Sequence, residues 1–468
     1  MSYQVSQNID PNKVFLINFS ELEGRWDPKM SLYNKKVKQF AFPKVKLKTL
    51  TKSNPQYGAN EAGIPRIKKE DPRYIRITDI DDNGLISDDE LGATAENVEE
   101  KYILNENDII FARSGATVGK TYIHKHKLYD CFFAGYLIRF VMNPQMVVPD
   151  YVFTYTQLKI YKEWVNAIQR PSAQPNINAE EYKSLDIPLP SLSKQKEIVK
   201  YISKAYALKK EKEQQAEILL NSIDDYLLGE LGIQLPDKKA QTLQDRIFTV
   251  NFSEVDGRLD PFYYQTKYKV IDDIISRLPN KCKLGDVIIS LNNGIEVRDY
   301  VEHGYRYMRV TDMGKHELNT ASVKYINIAE IPNRVKLNEN CILVSRSGSL
   351  GLISEVNKNM LDYVLSSHIF KVELNPQSIY PRYAVEVLRN KICQNQIFRN
   401  NNGGIIPEIQ QNALKSIKIL LPSLEKQQEI VNHITSIRQQ AKALQEEGKA
   451  ILEQAKRAVE AMILEDKN

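Results

Sequence analysis

Cysteine is scarce and unpatterned in this sequence of 468 residues. The four cysteines stand at positions 131, 282, 341 and 393, and none forms a Cys-x-x-Cys pair or a zinc-spaced pair with histidine. This argues against a disulfide framework or a zinc finger and favours a reducing compartment. The longest apolar run, residues 131–138, is far shorter than the roughly 20 residues of a membrane span. No apolar signal segment opens the sequence, so we expect a cytoplasmic protein with no membrane partner.

Motifs that carry catalysis are missing as well. The sequence has no [Asp/Asn]-Pro-Pro-[Tyr/Phe] motif of adenine methyltransferases, no Gly-x-Gly-x-x-Gly after a strand and no Walker A motif. No Pro-Asp…(Asp/Glu)-x-Lys arrangement of nucleases stands out, and histidine occurs only six times. An enzymatic interpretation would therefore need a site of an unrecognised kind.

The net charge is small. Sixty-four Lys and Arg residues against 59 Asp and Glu residues give +5, with an isoelectric point near 8.6. This charge allows a nucleic-acid partner but does not require one, because local patches matter more than the sum. Hydrophobic residues make up 42% of the chain, which is enough to build cores and excludes global disorder.

The sequence is a tandem duplication. Residues 15–28 and 248–261 share nine of 14 positions, at an offset of 233. Arg-Tyr-x-Arg-x-Thr-Asp and Leu-Asn-Glu-Asn motifs recur at the same offset, and residues 190–199 and 422–431 share eight of ten positions at an offset of 232. The period is too long for a solenoid. Each copy is therefore expected to be a domain in its own right.

Each copy begins with a segment of mixed α/β character. Short runs rich in β-branched residues predict strands at 74–80, 108–112 and 134–141, and at 307–313, 341–345 and 367–372 in the second copy. Helical periodicity follows at 151–166 and 383–398. A polar, proline-containing loop comes after each helix, at 169–176 and 399–407.

Each copy ends in a proline-free segment, at 191–231 and 423–465. Apolar residues recur there at spacings of three and four, which predicts long amphipathic helices with Ser191 or Ser193, and Ser423, as N-caps. A helix of about 40 residues is roughly 60 Å long, too long to be covered by one small domain. The obvious partner is the duplicate helix. Antiparallel pairing would place two heads at opposite ends of a dumbbell; the alternative is that each helix packs on a separate protein.

This pattern resembles the specificity subunit of type I restriction–modification systems over essentially the whole chain. Pro-Ser-Leu-x-x-Gln-x-x-Ile-Val at Pro190–Val199 and Pro422–Val431 carries the resemblance most strongly. The Gly-Arg-x-Asp-Pro motifs at Gly24–Pro28 and Gly257–Pro261 and the Arg-Ser-Gly runs add to it. The domains would be target recognition domains at 1–188 and 236–420, each followed by a long spacer helix, at 189–235 and 421–468.

The resemblance implies an α+β fold with two mixed α/β recognition domains and an antiparallel coiled coil of pseudo-two-fold symmetry. It implies a non-catalytic subunit in which each domain reads one half of a bipartite, asymmetric double-stranded DNA target. The helices would set the half-site spacing and dock two adenine-N6 methyltransferase subunits. S-adenosylmethionine would bind those subunits, leaving no cofactor on this chain, and restriction (motor–nuclease) subunits could join through them.

Two kinds of segment are candidates for DNA contact. The Arg-Ser-Gly runs at 113–115 and 346–348 follow predicted strands, and exposed backbone N–H groups with a guanidinium suit a phosphate. The alternative is a tight turn whose arginine pairs with a local carboxylate. The loops at 169–176 and 399–404 are rich in Gln, Asn and Arg, which pair with adenine and guanine. They differ between copies, as readers of different half-sites should, and the alternative is an ordinary solvated loop.

Other basic residues complete the candidate set. Residues 66–69 and Arg298 are expected to contact the DNA backbone, while the equivalent strand positions of Arg76 and Arg309 favour phosphate contact or structure over specificity. The predicted DNA-binding residues are Arg66, Lys68, Lys69, Arg76, Arg113, Ser114, Gln169, Arg170, Ser172, Gln174, Asn176, Arg298, Arg309, Arg346, Ser347, Arg399, Asn400, Asn401 and Asn402.

Two further pairs favour structural roles. Arg25–Asp27 and Arg258–Asp260 are expected to be internal salt bridges. His124 and His126 share a strand face but lack a third ligand, so we expect a solvated or DNA-facing strand and no metal. Two alternatives to the DNA-reading subunit stay open at this point: a stand-alone nuclease or methyltransferase, and a coiled-coil scaffold that binds protein.

Overall fold

The computed structural model describes residues 16, 27–37, 40–87, 91–125, 128–169, 175–236, 247–255, 259–314, 318–319, 323–402 and 404–464. The chain divides into two compact units. The first unit comprises residues 1–213 and 445–468, and the second comprises residues 214–444. Among the described residues, no helix has the length and apolar character needed to cross a membrane.

The first unit contains two four-stranded sheets and a short strand pair. Its elements are α1 (Pro28–Val37), β1 (Lys44–Lys46), α2 (Leu47–Leu50), β2 (Gln56–Tyr57), β3 (Ile64–Pro65), β4 (Arg73–Ile75), β5 (Ala93–Thr94), β6 (Ile109–Ala112), β7 (Thr121–Ile123), β8 (Cys131–Phe133), β9 (Leu137–Phe140), α3 (Pro149–Thr156), α4 (Lys159–Ile168), α5 (Ala179–Lys183), β10 (Asp186–Pro188) and the start of α6 (Leu192–Glu230). One sheet has the order β2-β9-β6-β7 and is antiparallel throughout. The other, β3-β5-β4-β8, contains one parallel pair, β4 with β8.

The second unit repeats this plan. Its elements are α7 (Thr266–Arg277), β11 (Lys281–Lys283), β12 (Ile288–Asn293), β13 (Tyr305–Met308), β14 (Lys324–Ile326), β15 (Cys341–Ser345), β16 (Ile353–Glu355), β17 (Val364–Leu365), β18 (Ile369–Leu374), α8 (Pro381–Arg389), α9 (Lys391–Arg399), α10 (Gln411–Lys415), β19 (Lys418–Leu420) and α11 (Leu424–Ile463). The antiparallel sheet β12-β18-β15-β16 matches the first sheet of the first unit strand for strand. The sheet β14-β13-β17 again contains one parallel pair. The predicted duplication and mixed α/β class are confirmed.

The strands predicted at 74–80 and 307–313 are shorter than expected. Strand β4 ends at Ile75, and the chain turns at Ile77–Asp79 because Asp79 accepts hydrogen bonds from the backbone and guanidinium of Arg76. Arg309 and Asp312 make the same turn in the second unit. The single helices predicted at 151–166 and 383–398 are also wrong. Each is two helices, because the backbone is extended at Leu158 and at Asn390.

We call the part of each unit from its first strand to its last strand, residues 44–188 in the first unit and 281–420 in the second, the head. The first and last strands of each head lie side by side. Strand β1 pairs with β10, with Val45 opposite Ile187, and β11 pairs with β19, with Cys282 opposite Ile419. Because β10 and β19 lead directly into the Pro-Ser-Leu segments, each head closes on itself just before its long helix begins.

The two long helices are confirmed and run antiparallel within each unit. In the first unit, Ile198 and Ile202 of α6 share a core cluster with Val459 and Ile463 of α11. In the second unit, Leu227 of α6 packs in a cluster with the start of α11, where Ile430, Val431 and Ile434 are buried. Ion pairs follow the same register: Lys212–Glu447 at 2.9 Å and Lys426–Glu230 at 2.6 Å. The pseudo-two-fold relation of the heads stays a prediction.

A buried glutamine anchors each long helix to its own head. Ser191 and Ser423 cap the two helices, so Ser191 rather than Ser193 is the first N-cap. Gln195 accepts a hydrogen bond from the backbone N–H of Val148 at 2.8 Å and donates to the carbonyl of Pro190.

The second unit repeats this anchor. Gln427 accepts from the N–H of Tyr380 at 2.8 Å and donates to the carbonyl of Pro422. Both glutamine side chains are fully buried. The glutamine of the shared motif therefore joins the helix start to the start of α3 or α8.

Leucine has nearly the volume of glutamine, but Gln427→Leu leaves the N–H of Tyr380 without its acceptor and the carbonyl of Pro422 without its donor. At about 1–3 kcal/mol for each orphaned buried group, we expect the free energy of unfolding to fall by about 2 kcal/mol. Urea unfolding followed by circular dichroism measures the loss. The neighbouring Gln428 is exposed, so Gln428→Leu is the matched control and should change stability by less than about 0.5 kcal/mol. Equal unfolding midpoints for the two variants would contradict the anchor.

Candidate nucleic-acid interface

The structure joins the Arg-Ser-Gly turn and the polar loop of each copy into a single site. In the first unit, the N–H of Gly115 donates to the carbonyl of Pro175 at 3.1 Å, and the N–H of Ile177 donates to the carbonyl of Arg113 at 2.8 Å. Ser114 and Asn176 lie opposite each other between these bonds as an isolated β-bridge. We call residues 113–115 with 175–177 the first turn site.

The second unit makes the same bonds at the equivalent positions. The N–H of Gly348 donates to the carbonyl of Pro407 at 3.0 Å, and the N–H of Ile409 donates to the carbonyl of Arg346 at 2.9 Å. Ser347 and Glu408 form the bridge. We call residues 346–348 with 407–409 the second turn site. The backbone of the two turn sites is thus the same, although their polar loops differ in sequence.

A glycine closes each turn because its backbone is left-handed. Gly115 has φ +78° and Gly348 has φ +87°, a region that disfavours residues with a Cβ. No atom lies within 4 Å of a Cβ built on either glycine, so the backbone conformation, and not crowding, requires glycine here.

Aromatic side chains surround the first turn site. The Arg113 guanidinium lies over the ring of Tyr57, 4.8 Å from its centroid, and the Tyr57 hydroxyl accepts a hydrogen bond from the N–H of Ala179. The carbonyl of Tyr136 accepts from the N–H of Arg113, and the Tyr136 side chain is 60% exposed. This site therefore presents a stacked arginine beside an accessible phenol.

Charged and imidazole groups surround the second turn site. Arg346 pairs with Glu408 of the polar loop at 2.5 Å, so its carboxylate partner lies 62 residues further along the chain and not within the turn itself. His368 takes the place of Tyr136, and its Nδ1 lies 2.5 Å from the Oγ of Ser347. Histidine, serine and glutamate thus stand where the first site has tyrosine, serine and asparagine.

The polar loop of the second unit has a hydrogen-bonded neck. The N–H of Asn402 donates to the carbonyl of Glu408, and the N–H of Glu408 donates to Oδ1 of Asn401, both at 2.8 Å. Asn401 therefore orders the loop, while the Asn402 side chain is exposed. In the first unit, Gln169 follows the end of α4. The predicted readers Arg170, Ser172 and Gln174 lie outside the described residues.

Several predicted arginines are held by the fold. Arg66 is only 3% exposed and donates to the carbonyls of Asp71, Leu91 and Lys69, with its guanidinium 3.9 Å from the centroid of the Tyr129 ring. It therefore cannot reach DNA in this conformation. The adjacent Lys68 and Lys69 are exposed.

Three more arginines are engaged by carboxylates. The hydrogen bonds of Asp79 and Asp312 raise the pKa values of Arg76 and Arg309, respectively. This carboxylate bonding favours the structural interpretation of both. Arg298 pairs with Glu296 at 2.7 Å on the surface.

Arg399 and Asn400 belong to the end of α9. Arg399 bonds to Asp272 and stacks on the ring of Tyr263 at 4.1 Å, and Asn400 donates to the carbonyl of Gln396. Neither takes part in the hydrogen bonds of the second turn site.

The remaining predicted pairs are only partly described. Arg25, Arg258 and His126 lie outside the described residues, so their pairs stay predictions. His124 is buried beside the Tyr122 hydroxyl, with its Nδ1 3.1 Å from that oxygen, so the prediction that it lies on a solvated or DNA-facing strand face is wrong. Within the described part of the chain, no cluster of three metal-ligating side chains is found.

Sequence reasoning missed Tyr57, Tyr136, His368 and Glu408. Tyr57 reaches the site from strand β2 and Tyr136 from the turn between β8 and β9, so neither belongs to the Arg-Ser-Gly run or to the polar loop that the sequence analysis singled out. The sequence does contain a signal for Glu408. Pro175 and Pro407 correspond at the repeat offset of 232, so Glu408 is the equivalent of Asn176, and both residues form the bridge.

Comparison with known proteins agrees with this duplicated site. The family model of the type I restriction modification DNA specificity domain matches residues 59–219 and 280–454, which is more than half of the chain. The chain belongs to this family. It is a type I restriction–modification specificity subunit with two DNA specificity domains, and each domain match contains one turn site.

Two curated relatives match along most of their length. The MjaVIII specificity subunit of Methanocaldococcus jannaschii is 20% identical over 384 residues, covering 79% of this chain and 80% of the relative. The EcoKI specificity subunit of Escherichia coli K12 is 22% identical over 396 residues, covering 81% and 77%. Among solved structures, the HsdS subunit from Thermoanaerobacter tengcongensis aligns with a TM-score of 0.35 at 15% identity, covering 91% of this chain and 97% of that one.

The glycine of the second turn site yields a stability prediction. Gly348→Ala introduces a Cβ at φ +87°, which costs about 1–2 kcal/mol, so unfolding in urea should begin at a lower concentration. Hydrogen exchange at the Ile409 amide should also speed up, because that amide closes the turn. Gly404→Ala is the control, since Gly404 is equally open but lacks a left-handed φ. Equal effects of the two substitutions would contradict the role of the turn.

Proposed function

We propose that this specificity subunit is non-catalytic and that each turn site reads one half of a bipartite, asymmetric DNA target. One observation carries the proposal: the same hydrogen-bonded pair of loops occurs once in each unit, with different side chains on it. A shared backbone gives both heads the same approach to a duplex, while different side chains allow unlike half-sites.

The side chains at the two sites suit different base edges. Asn402 matches the paired donor and acceptor of adenine, and a glutamate such as Glu408 accepts a hydrogen bond from the amino group of cytosine. At the first site, Arg113 and the phenol of Tyr136 offer donors to guanine or to phosphate oxygens. Lys68 and Lys69 are exposed and suit the DNA backbone, where contacts position a head without reading sequence.

The long helices are proposed to set the half-site spacing and to dock two adenine-N6 methyltransferase subunits. Apolar side chains stay partly exposed at separate points along both helices, Leu192 and Tyr201 on α6 and Leu424 and Met462 on α11, where partner subunits would cover them. The methyl donor, S-adenosylmethionine, would bind those partner subunits, and restriction (motor–nuclease) subunits would join through them.

Asn402→Ala tests the assignment of one half-site to one unit. In the assembled methyltransferase complex, this variant should lose about 1–3 kcal/mol of discrimination at one base pair, because a bidentate amide contact is worth about that much. Mapping of methylated adenines should then show relaxation within one half-site and an unchanged second half. The isolated chain should transfer no methyl group.

Asn359→Ala is the matched control, since Asn359 is exposed in the same unit and takes no part in the hydrogen bonds that define the turn site. It should leave the methylation pattern unchanged. Relaxation of both half-sites by Asn402→Ala, or methylation by the isolated chain, would contradict the proposal.

A further inference from the structure

Two adjacent isoleucines project from the polar loop of the second unit. Ile405 is fully exposed (101%) and Ile406 is 65% exposed. They lie between Asn402 and Glu408, which close the neck of the loop with a backbone hydrogen bond. Scattered single apolar residues are normal on a surface, but an adjacent aliphatic pair at the tip of a polar loop indicates a contact.

The neck orders both ends of the segment that carries this pair. Besides the Asn402–Glu408 bond, Oδ1 of Asn401 accepts from the N–H of Glu408, and Pro407 accepts from Gly348 of the Arg-Ser-Gly turn. The isoleucine side chains are β-branched and therefore stiff at χ1. Little side-chain entropy would be lost when they pack against a partner. We call Ile405 and Ile406 the aliphatic tip.

We propose that the aliphatic tip packs against the C5-methyl group of thymine in the half-site read by the second unit. This inference rests on the proposed function. The thymine methyl is the apolar group that a base pair presents in the major groove, and proteins recognise it through apolar side chains. Asn402 beside the tip suits the adenine of such a pair, so the tip and the amide together match an A·T pair.

The neighbouring carboxylate favours the major groove over an apolar wedge inserted from the minor groove. Minor-groove edges of A·T pairs carry acceptors only, and the groove potential is negative. Glu408, two residues from the tip, is paired with Arg346, and its carboxylate is a further acceptor that finds no donor on such an edge. In the major groove the Glu408 carboxylate meets the amino donors of cytosine and adenine. The apolar, amide and carboxylate groups of the loop therefore all find partners in that groove.

Deoxyuridine tests the contact, because it lacks the thymine methyl but keeps the pairing and every other major-groove group. Duplexes carrying the mapped target would be prepared with deoxyuridine at every thymine of the second unit's half-site, or of the first unit's. Affinity would be measured with the assembled methyltransferase complex. The variants are the double substitution Ile405→Ser with Ile406→Ser, and Ile289→Ser as a control at an exposed isoleucine outside the loop.

Deoxyuridine in the second half-site should weaken binding by the wild type about fourfold, which is about 0.8 kcal/mol for one methyl group. The double variant should bind the natural duplex about fourfold more weakly or worse, and it should not distinguish deoxyuridine from thymine in that half-site. Ile289→Ser should behave like the wild type. All three proteins should respond equally to deoxyuridine in the first half-site.

The inference would be overturned if the wild type bound the natural duplex and the duplex with deoxyuridine in the second half-site with equal affinity. It would also be overturned if the second half-site contained no thymine. The same holds if the double variant keeps the wild-type response to deoxyuridine. These failures differ from a failure of the proposed function, in which the assembled complex would show no bipartite methylation at all.

Discussion

Each long helix carries an apolar stripe that its own head covers only in part, and the fold depends on how that stripe is buried. In the first unit, Ile198 and Ile202 are buried in a cluster that also contains Val459 of the other long helix. In the second unit, the start of α11 meets the end of α6 in the same way. A helix of this length is stable mainly through such tertiary burial. The buried glutamines Gln195 and Gln427 then fix where each helix meets its head.

The turn sites lie in the heads and not in the long helices, but the helices and the buried glutamines fix the heads that carry them. Each head closes through a strand pair just before its helix, so loops at the site can differ while the connection stays the same. Within a site, backbone hydrogen bonds supply the geometry, and the side chains are left free to vary. Tyr136 and His368 occupy the same place with different chemistry. This division between shared backbone and unlike side chains is what the proposed reading of two unlike half-sites requires.

Much of the architecture follows from the sequence, and the reasons for the rest are local. Repeat offsets predict two domains, and spacing of apolar residues predicts both long helices to within about two residues at each end. The predicted strands are too long at Arg76 and Arg309, because each arginine bonds to an aspartate three residues later in the sequence and the chain turns there. The burial of Arg66 could not be predicted, since its acceptors are backbone carbonyls. Neither could the pairing of the Arg-Ser-Gly turns with the polar loops, which are about 60 residues apart.

We propose that each unit reads its own half-site independently of the other. The decisive experiment replaces residues 281–420 with a second copy of residues 44–188, joined at the strand pairs that close the heads. Methylated adenines would then be mapped in DNA modified by the assembled complex. We expect a target made of two inverted copies of the half-site that the first unit reads. Persistence of the original second half-site would contradict it.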